Sequence, residues 1–194
     1  MNEELILKAM DLFDSADKWN SFCELMSMEE EIRHRWWKRL QTEVYQRENT
    51  LPNPDWAIYK WNAWDIMWYI KGESDESLAV HFWGDRFRVF ANYGALDLVK
   101  VNKLLENPKF DVLKTCFDRL DGSDYQTIGW EDRNFCFDTI YDGRFPDSRT
   151  LSWYAGNRTK EFADQIIAKV RKFQTPEITA LFKEINSACK RNEE

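Results

Sequence analysis

The 194-residue sequence predicts an α+β fold, with a mainly antiparallel sheet built from three hairpins at about 56–70, 78–91 and 126–139. Helices pack on that sheet in the order αα-ββββ-αα-ββ-αα. Two observations lead to this reading. Three short aromatic and β-branched stretches sort their apolar and polar residues onto opposite faces when each is folded back at a two-residue tip. The segments around them repeat apolar residues every three or four positions, the period of a helix buried along one side. Aromatic residues make up 15% of the chain, ten of them tryptophans, so the core is expected to rest on large flat side chains. With only seven glycines and five prolines there is no sign of a long linker. One domain over 1–194 is expected, with 1–50 a helical N-terminal segment packed on the sheet.

Ser15 caps a first helix in which Trp19, Phe22, Cys23 and Met26 share a face. A longer helix runs from about Met28, with Met28, Ile32, Trp36, Leu40 and Val44 recurring at every fourth position. Its polar side, "EEEIRHRWWKR", offers Glu29 to Arg33 and Glu31 to Arg35, and further on Arg39 to Glu43 and Glu43 to Arg47, all four apart. Such pairing describes a solvated, internally neutralised surface rather than a nucleic-acid helix. "TLPNPD" at 50–55 ends it.

The hairpins follow. In "LAVHFWGDRFRVFA" a Gly84-Asp85 tip sets Leu78 against Ala91, Val80 against Val89 and Phe82 against Phe87. The other face then pairs Trp83 with Arg86, His81 with Arg88 and Ala79 with Phe90. In "KWNAWDIMWYI" an Asn62-Ala63 tip sets Trp61 against Trp64, Tyr59 against Ile66 and Ala57 against Trp68, with Ile70 on the same face. That face is too apolar to be left wet, so Trp61, Trp64 and Trp68 are expected to anchor the core. Lys60 with Asp65, Ile58 with Met67 and Trp56 with Tyr69 take the other side. The third hairpin, "TIGWEDRNFCFDTI", turns at Asp132-Arg133 and sets Trp130 against Phe135 and Ile128 against Phe137.

Helices account for the remainder. Leu96, Val99 and Leu104 mark one; Asn107 and Pro108 open another, with Phe110, Leu113, Phe117 and Leu120 inward. "NRTKEFADQIIAKVRKF" aligns Phe162, Ile166, Val170 and Phe173. Thr175-Pro176 opens the last helix, whose stripe is Ile178, Leu181, Phe182, Ile185 and Cys189.

Composition then limits function. The net charge of −7 disfavours general duplex nucleic-acid binding, which needs a basic footprint, and suits a basic partner. Cys23, Cys116, Cys136 and Cys189 stand alone among apolar neighbours, without a CxxC pair. They read as reduced, buried thiols of a bacterial cytoplasmic protein, and no metal or other cofactor is expected. The acidic start "MNEELILKAM" is unlike a signal peptide, and no apolar run is long enough to span a bilayer.

Nucleotide-binding, serine-hydrolase and zinc-protease signatures are absent from the sequence. Of the two histidines, His34 falls on the charged helix face and His81 pairs with Arg88. "DRLDGSD", with Asp118, Asp121 and Asp124, reads as a helix end and turn. "DTIYDGRFPDSR", with Asp138, Asp142 and Asp147, is a charged connection long enough to serve a function. The helix–three strands–helix–strand layout over 28–131 loosely resembles the PD-(D/E)xK nucleases. Neither Pro54-Asp55 nor Pro146-Asp147 is followed on a strand by the D/E-x-K that their Mg²⁺ chemistry uses.

Two constellations remain as candidate ligand sites. One is the outer hairpin face with His81, Trp83, Arg86 and Arg88. The other is "LSWYAGNRTKE", in which Gly156 and Asn157 precede a helix N-terminus beside Arg158, with Trp153 and Tyr154 for stacking. The leading expectation is a non-enzymatic cytosolic binding or regulatory protein, of the kind exemplified by acidic inhibitors and immunity proteins. Its partner would be a protein or a small anionic ligand. The alternative is a phosphate-ligand-binding protein or a divergent nuclease-like enzyme, an inactive one included.

Overall fold

The computed structural model describes residues 3–62, 65–73, 77–83, 86–92, 94–116, 127–131 and 148–191. Strands β1 (Trp56–Asn62), β2 (Asp65–Ile70), β3 (Ala79–Trp83), β4 (Arg86–Phe90) and β5 (Thr127–Glu131) form one antiparallel sheet in sequence order. The helices are α1 (Glu3–Leu12), α2 (Ala16–Ser27), α3 (Glu29–Thr50), α4 (Leu98–Leu105), α5 (Asp111–Lys114), α6 (Ser148–Asn157), α7 (Thr159–Phe173) and α8 (Pro176–Cys189). The fold is α+β, with helices packed on the sheet.

The β3–β4 pairing follows the expected register residue for residue, from Ala79 with Phe90 to Trp83 with Arg86. The β1–β2 pairing does not. Ile58 faces Trp68 and Lys60 faces Ile66, one residue out from the expectation, with an irregularity between Lys60 and Asn62. This slip exchanges the faces of β1. Trp56 and Ile58 join Ile66, Trp68 and Ile70 against the core, and Tyr59 turns outward. The reason is burial: Trp56 lies 5.1 Å from the Phe182 ring, and its Nε1 donates to Thr179 Oγ1 at 2.9 Å. The expected register would have set Ala57 in place of Trp56 at this end of the strand, forfeiting the contact with Phe182 and the hydrogen bond to Thr179. Of the three clustered tryptophans, Trp68 is fully buried. Trp64 and the Trp61 side chain lie outside the described residues, as do the Asp132-Arg133 tip, the returning strand with Cys136, and the segments Asp118–Asp124 and Asp138–Asp147.

One apolar cluster joins the sheet to α3 and to α4 through α8. Trp37 on α3 meets Phe82 at 6.1 Å and Phe162 at 5.8 Å. The stripes on α7 and α8 are buried as expected, and Thr175 caps α8 by accepting from the Ile178 N–H at 3.2 Å. On the α5 side, Asn107 caps a short 3₁₀ turn (Pro108–Phe110) leading into α5, with Phe110 and Leu113 inward; Phe117 and Leu120 are outside the described residues.

Three helical expectations change. On α3 the buried residues are Trp37, Leu40, Gln41, Val44 and Glu48, while Met28 is exposed. Positions four apart advance by about 40° beyond a full turn, so a strict every-fourth stripe winds off the core within a few turns. Helix α6 was not expected; its Leu151, Ser152, Tyr154 and Ala155 are buried, and Ser152 Oγ accepts from Trp37 Nε1 at 2.8 Å. Finally, α2 contributes no buried residue, and no side chain described on α1 is buried. Within 1–50, it is α3 that enters the core.

Candidate functional site

The meander brings together Asp65, His81, Trp83, Arg86 and Arg88 on the sheet face opposite the helices. Cross-strand pairing sets Asp65 against Trp83, and His81 against Arg88. Arg88 Nε donates to His81 Nδ1 at 3.0 Å, so that nitrogen is an acceptor and the ring is neutral with its proton on Nε2. Asp65 Oδ1 lies 3.6 Å from Nε2. Burial is the main cause that lowers the His81 pKa; Asp65 opposes the shift and the Arg88 charge adds to it.

The Arg88 guanidinium sits 4.6 Å from the ring centroids of both Trp83 and Phe90. Its neighbours on this face, Met67, Ala79 and Phe90, are buried. Trp83 is 46% exposed and Arg86 half-buried. The arrangement is therefore a buried carboxylate–imidazole–guanidinium row that ends in an accessible indole. Its open end can stack a flat ring or meet an anion. Sequence reasoning missed Asp65, which it placed opposite Lys60. The pairing of Asp65 with Trp83 depends on the β2–β3 register, which neither hairpin sets by itself.

The second constellation has a different shape. Gly156 and Asn157 are the last residues of α6, not a loop leading to an open helix end. Asn157 Nδ2 donates to Trp153 O at 3.0 Å, and Thr159 Oγ1 donates to Ala155 O at 2.7 Å. Arg158 pairs with Glu161 at 2.5 Å and its N–H donates to Tyr154 O. Tyr154 is buried, while Trp153 remains 38% exposed. Arg39 Nη1 donates to Gly156 O at 3.3 Å, so this corner is held to α3 on the helical side of the sheet. It is not brought together with His81.

A third feature lies in the first two helices. Of the thirteen exposed large apolar side chains among the described residues, eight fall within 6–28: Ile6, Leu7, Met10, Leu12, Trp19, Leu25, Met26 and Met28. Cys23 is exposed there as well, contrary to the expectation of buried thiols; Cys116 is half-buried and Cys189 buried. Beside α2 an open cleft of about 610 Å³ is lined by Ser27, Glu30, Glu31, Arg33 and His34. Arg35 hydrogen-bonds Glu31 and holds its carboxyl below the usual range.

No family model matches the chain. Neither the curated proteins nor the solved structures contain a significant match. Among the described residues, no group of three or more His, Cys, Asp or Glu is placed to hold a metal ion, and no helix is long and apolar enough to cross a membrane.

Proposed function

We propose that this chain is a binding or regulatory protein of the cytosol that acts by capturing a protein partner, in the manner of an acidic inhibitor or immunity protein. The observation that carries this reading is the concentration of exposed apolar side chains on α1 and α2. Apolar surface gathered in one segment marks an interaction site more often than scattered single residues do. The His81 arrangement fits the same reading, since its Nδ1 is occupied by Arg88 and not offered to a nucleophile.

The test is co-purification from source cells after mild cross-linking, comparing the native chain with a Leu7→Ser, Met10→Ser, Leu25→Ser, Met26→Ser variant. A stoichiometric protein is expected with the native chain and lost with the variant. Equal recovery by both would refute the reading, as would multiple turnover of a substrate by the isolated chain.

A second reading, a phosphate-bearing ligand or its Mg²⁺-dependent hydrolysis, is favoured by Arg86 and Arg88 beside the exposed Trp83. It expects a thermal shift with nucleotides that Arg86→Ala removes, or turnover lost in Asp142→Ala or Asp147→Ala. No shift and no turnover across a nucleotide panel would end it.

A further inference from the structure

We propose that α1 and α2 form the docking surface for a basic amphipathic helix of a partner protein, an inference that rests on the binding-protein reading. The two helices are held together by an aromatic joint. Phe13 lies 5.5 Å from Trp19 and 4.5 Å from Phe22, and Trp19 lies 5.7 Å from Phe22. Around this joint Leu7, Met10, Leu25, Met26 and Met28 stay exposed. Methionines suit such a surface, because an unbranched thioether adapts to the partner's shape.

Charge selects the occupant. Residues 3–28 carry six carboxylates and two lysines, a net −4. Both lysines are already committed, Lys8 to Glu4 and Lys18 to Asp14, each at 2.7 Å. That leaves Glu3, Asp11, Asp17 and Glu24 without a neutralising cation among the described residues. A second copy of this chain would set −4 against −4, and an anionic lipid surface would be repelled in the same way. A helix with one apolar stripe and flanking lysines or arginines matches both the apolar side chains and the carboxylates. The cleft beside α2 adds Glu30; its other carboxylate, Glu31, is paired with Arg35, and Arg33 and His34 complete the lining, so the negative charge of the surface rests on 3–28.

The full chain, labelled at its methionine methyls, supplies the test. The sequence has five methionines; Met10, Met26 and Met28 report on the surface, and buried Met67 reports on the core. The probes are a leucine–lysine amphipathic peptide, its leucine–glutamate counterpart and phosphatidylglycerol vesicles. The lysine peptide is expected to shift the three surface methyls saturably and leave Met67 unmoved. Its affinity should fall by roughly tenfold or more both in Leu7→Ser/Leu25→Ser and in Asp11→Lys/Glu24→Lys.

The proposal is overturned if the lysine peptide moves none of these methyls, or if the glutamate peptide or the vesicles bind as well. Shifts that follow protein concentration alone would identify a second copy as the occupant and overturn it too. Should the lysine peptide fail while the serine variant still loses its co-purifying protein, the partner class is wrong and the binding-protein reading stands. Should the serine variant keep that protein, both fall.

Discussion

Gly156 closes α6 against the Trp36 indole, so closely that a Cβ there would overlap the ring. Trp36 cannot retreat freely, because it packs against the main apolar cluster. Gly156→Ala is therefore expected to lower stability by about 1–3 kcal/mol, measured by urea unfolding. His81 makes a second case at this scale. The folded state binds its proton less readily than the unfolded chain does, because the folded pKa is lowered. The stabilising contribution is thus complete above the ordinary imidazole value and shrinks as pH falls below it, toward the lowered folded pKa. His81→Asn keeps an acceptor for Arg88 and removes the titration. Its unfolding free energy should decline less than that of the native chain between about pH 7.5 and about pH 5.5.

At the scale of elements, β1 supplies a test of register. Ile58 packs against the core and Tyr59 is exposed, whereas the pairing drawn from the sequence reversed these roles. Ile58→Ala is expected to cost about 1–3 kcal/mol and Tyr59→Ala less than about 0.5 kcal/mol, both from chemical denaturation. The β3–β4 hairpin was legible because one register puts Leu78, Val80, Phe82, Phe87, Val89 and Ala91 together on a wholly apolar face and leaves His81, Arg86 and Arg88 on the other. The first hairpin was less so. Nearly every residue of its strands is apolar or aromatic, so two registers sort almost equally well until Phe182 and Thr179 arrive from α8. Helix α6 was hidden for a related reason: its Ser, Gly and Asn residues are weak helix formers, and burial of Leu151, Tyr154 and Ala155 outweighs that local preference.

For the whole molecule, the division between α1–α2 and the core matters most. Since α2 contributes no buried residue and no described side chain of α1 is buried, removing 1–27 should leave the main unfolding transition within about 4 °C of the native chain. The same truncation is expected to abolish partner capture. Calorimetry and co-purification check the two halves of this prediction, and a collapse of the main transition would contradict it.

The separate helix α1 (Glu3–Leu12) was not legible in the sequence by itself, whereas the rough order of helices and strands, the α+β class, the β3–β4 register and the inward stripes of α7 and α8 were. Each of these depends on residues close along the chain, and periodicity reports them directly. The tertiary structure decided the register of β1, the existence of α6, the approach of Asp65 to His81, and the exposure of α1 and α2. Periodicity tells which side chains share a face. Whether another element meets that face depends on contacts between residues far apart in the chain, and those contacts separate a core from a surface open to a partner.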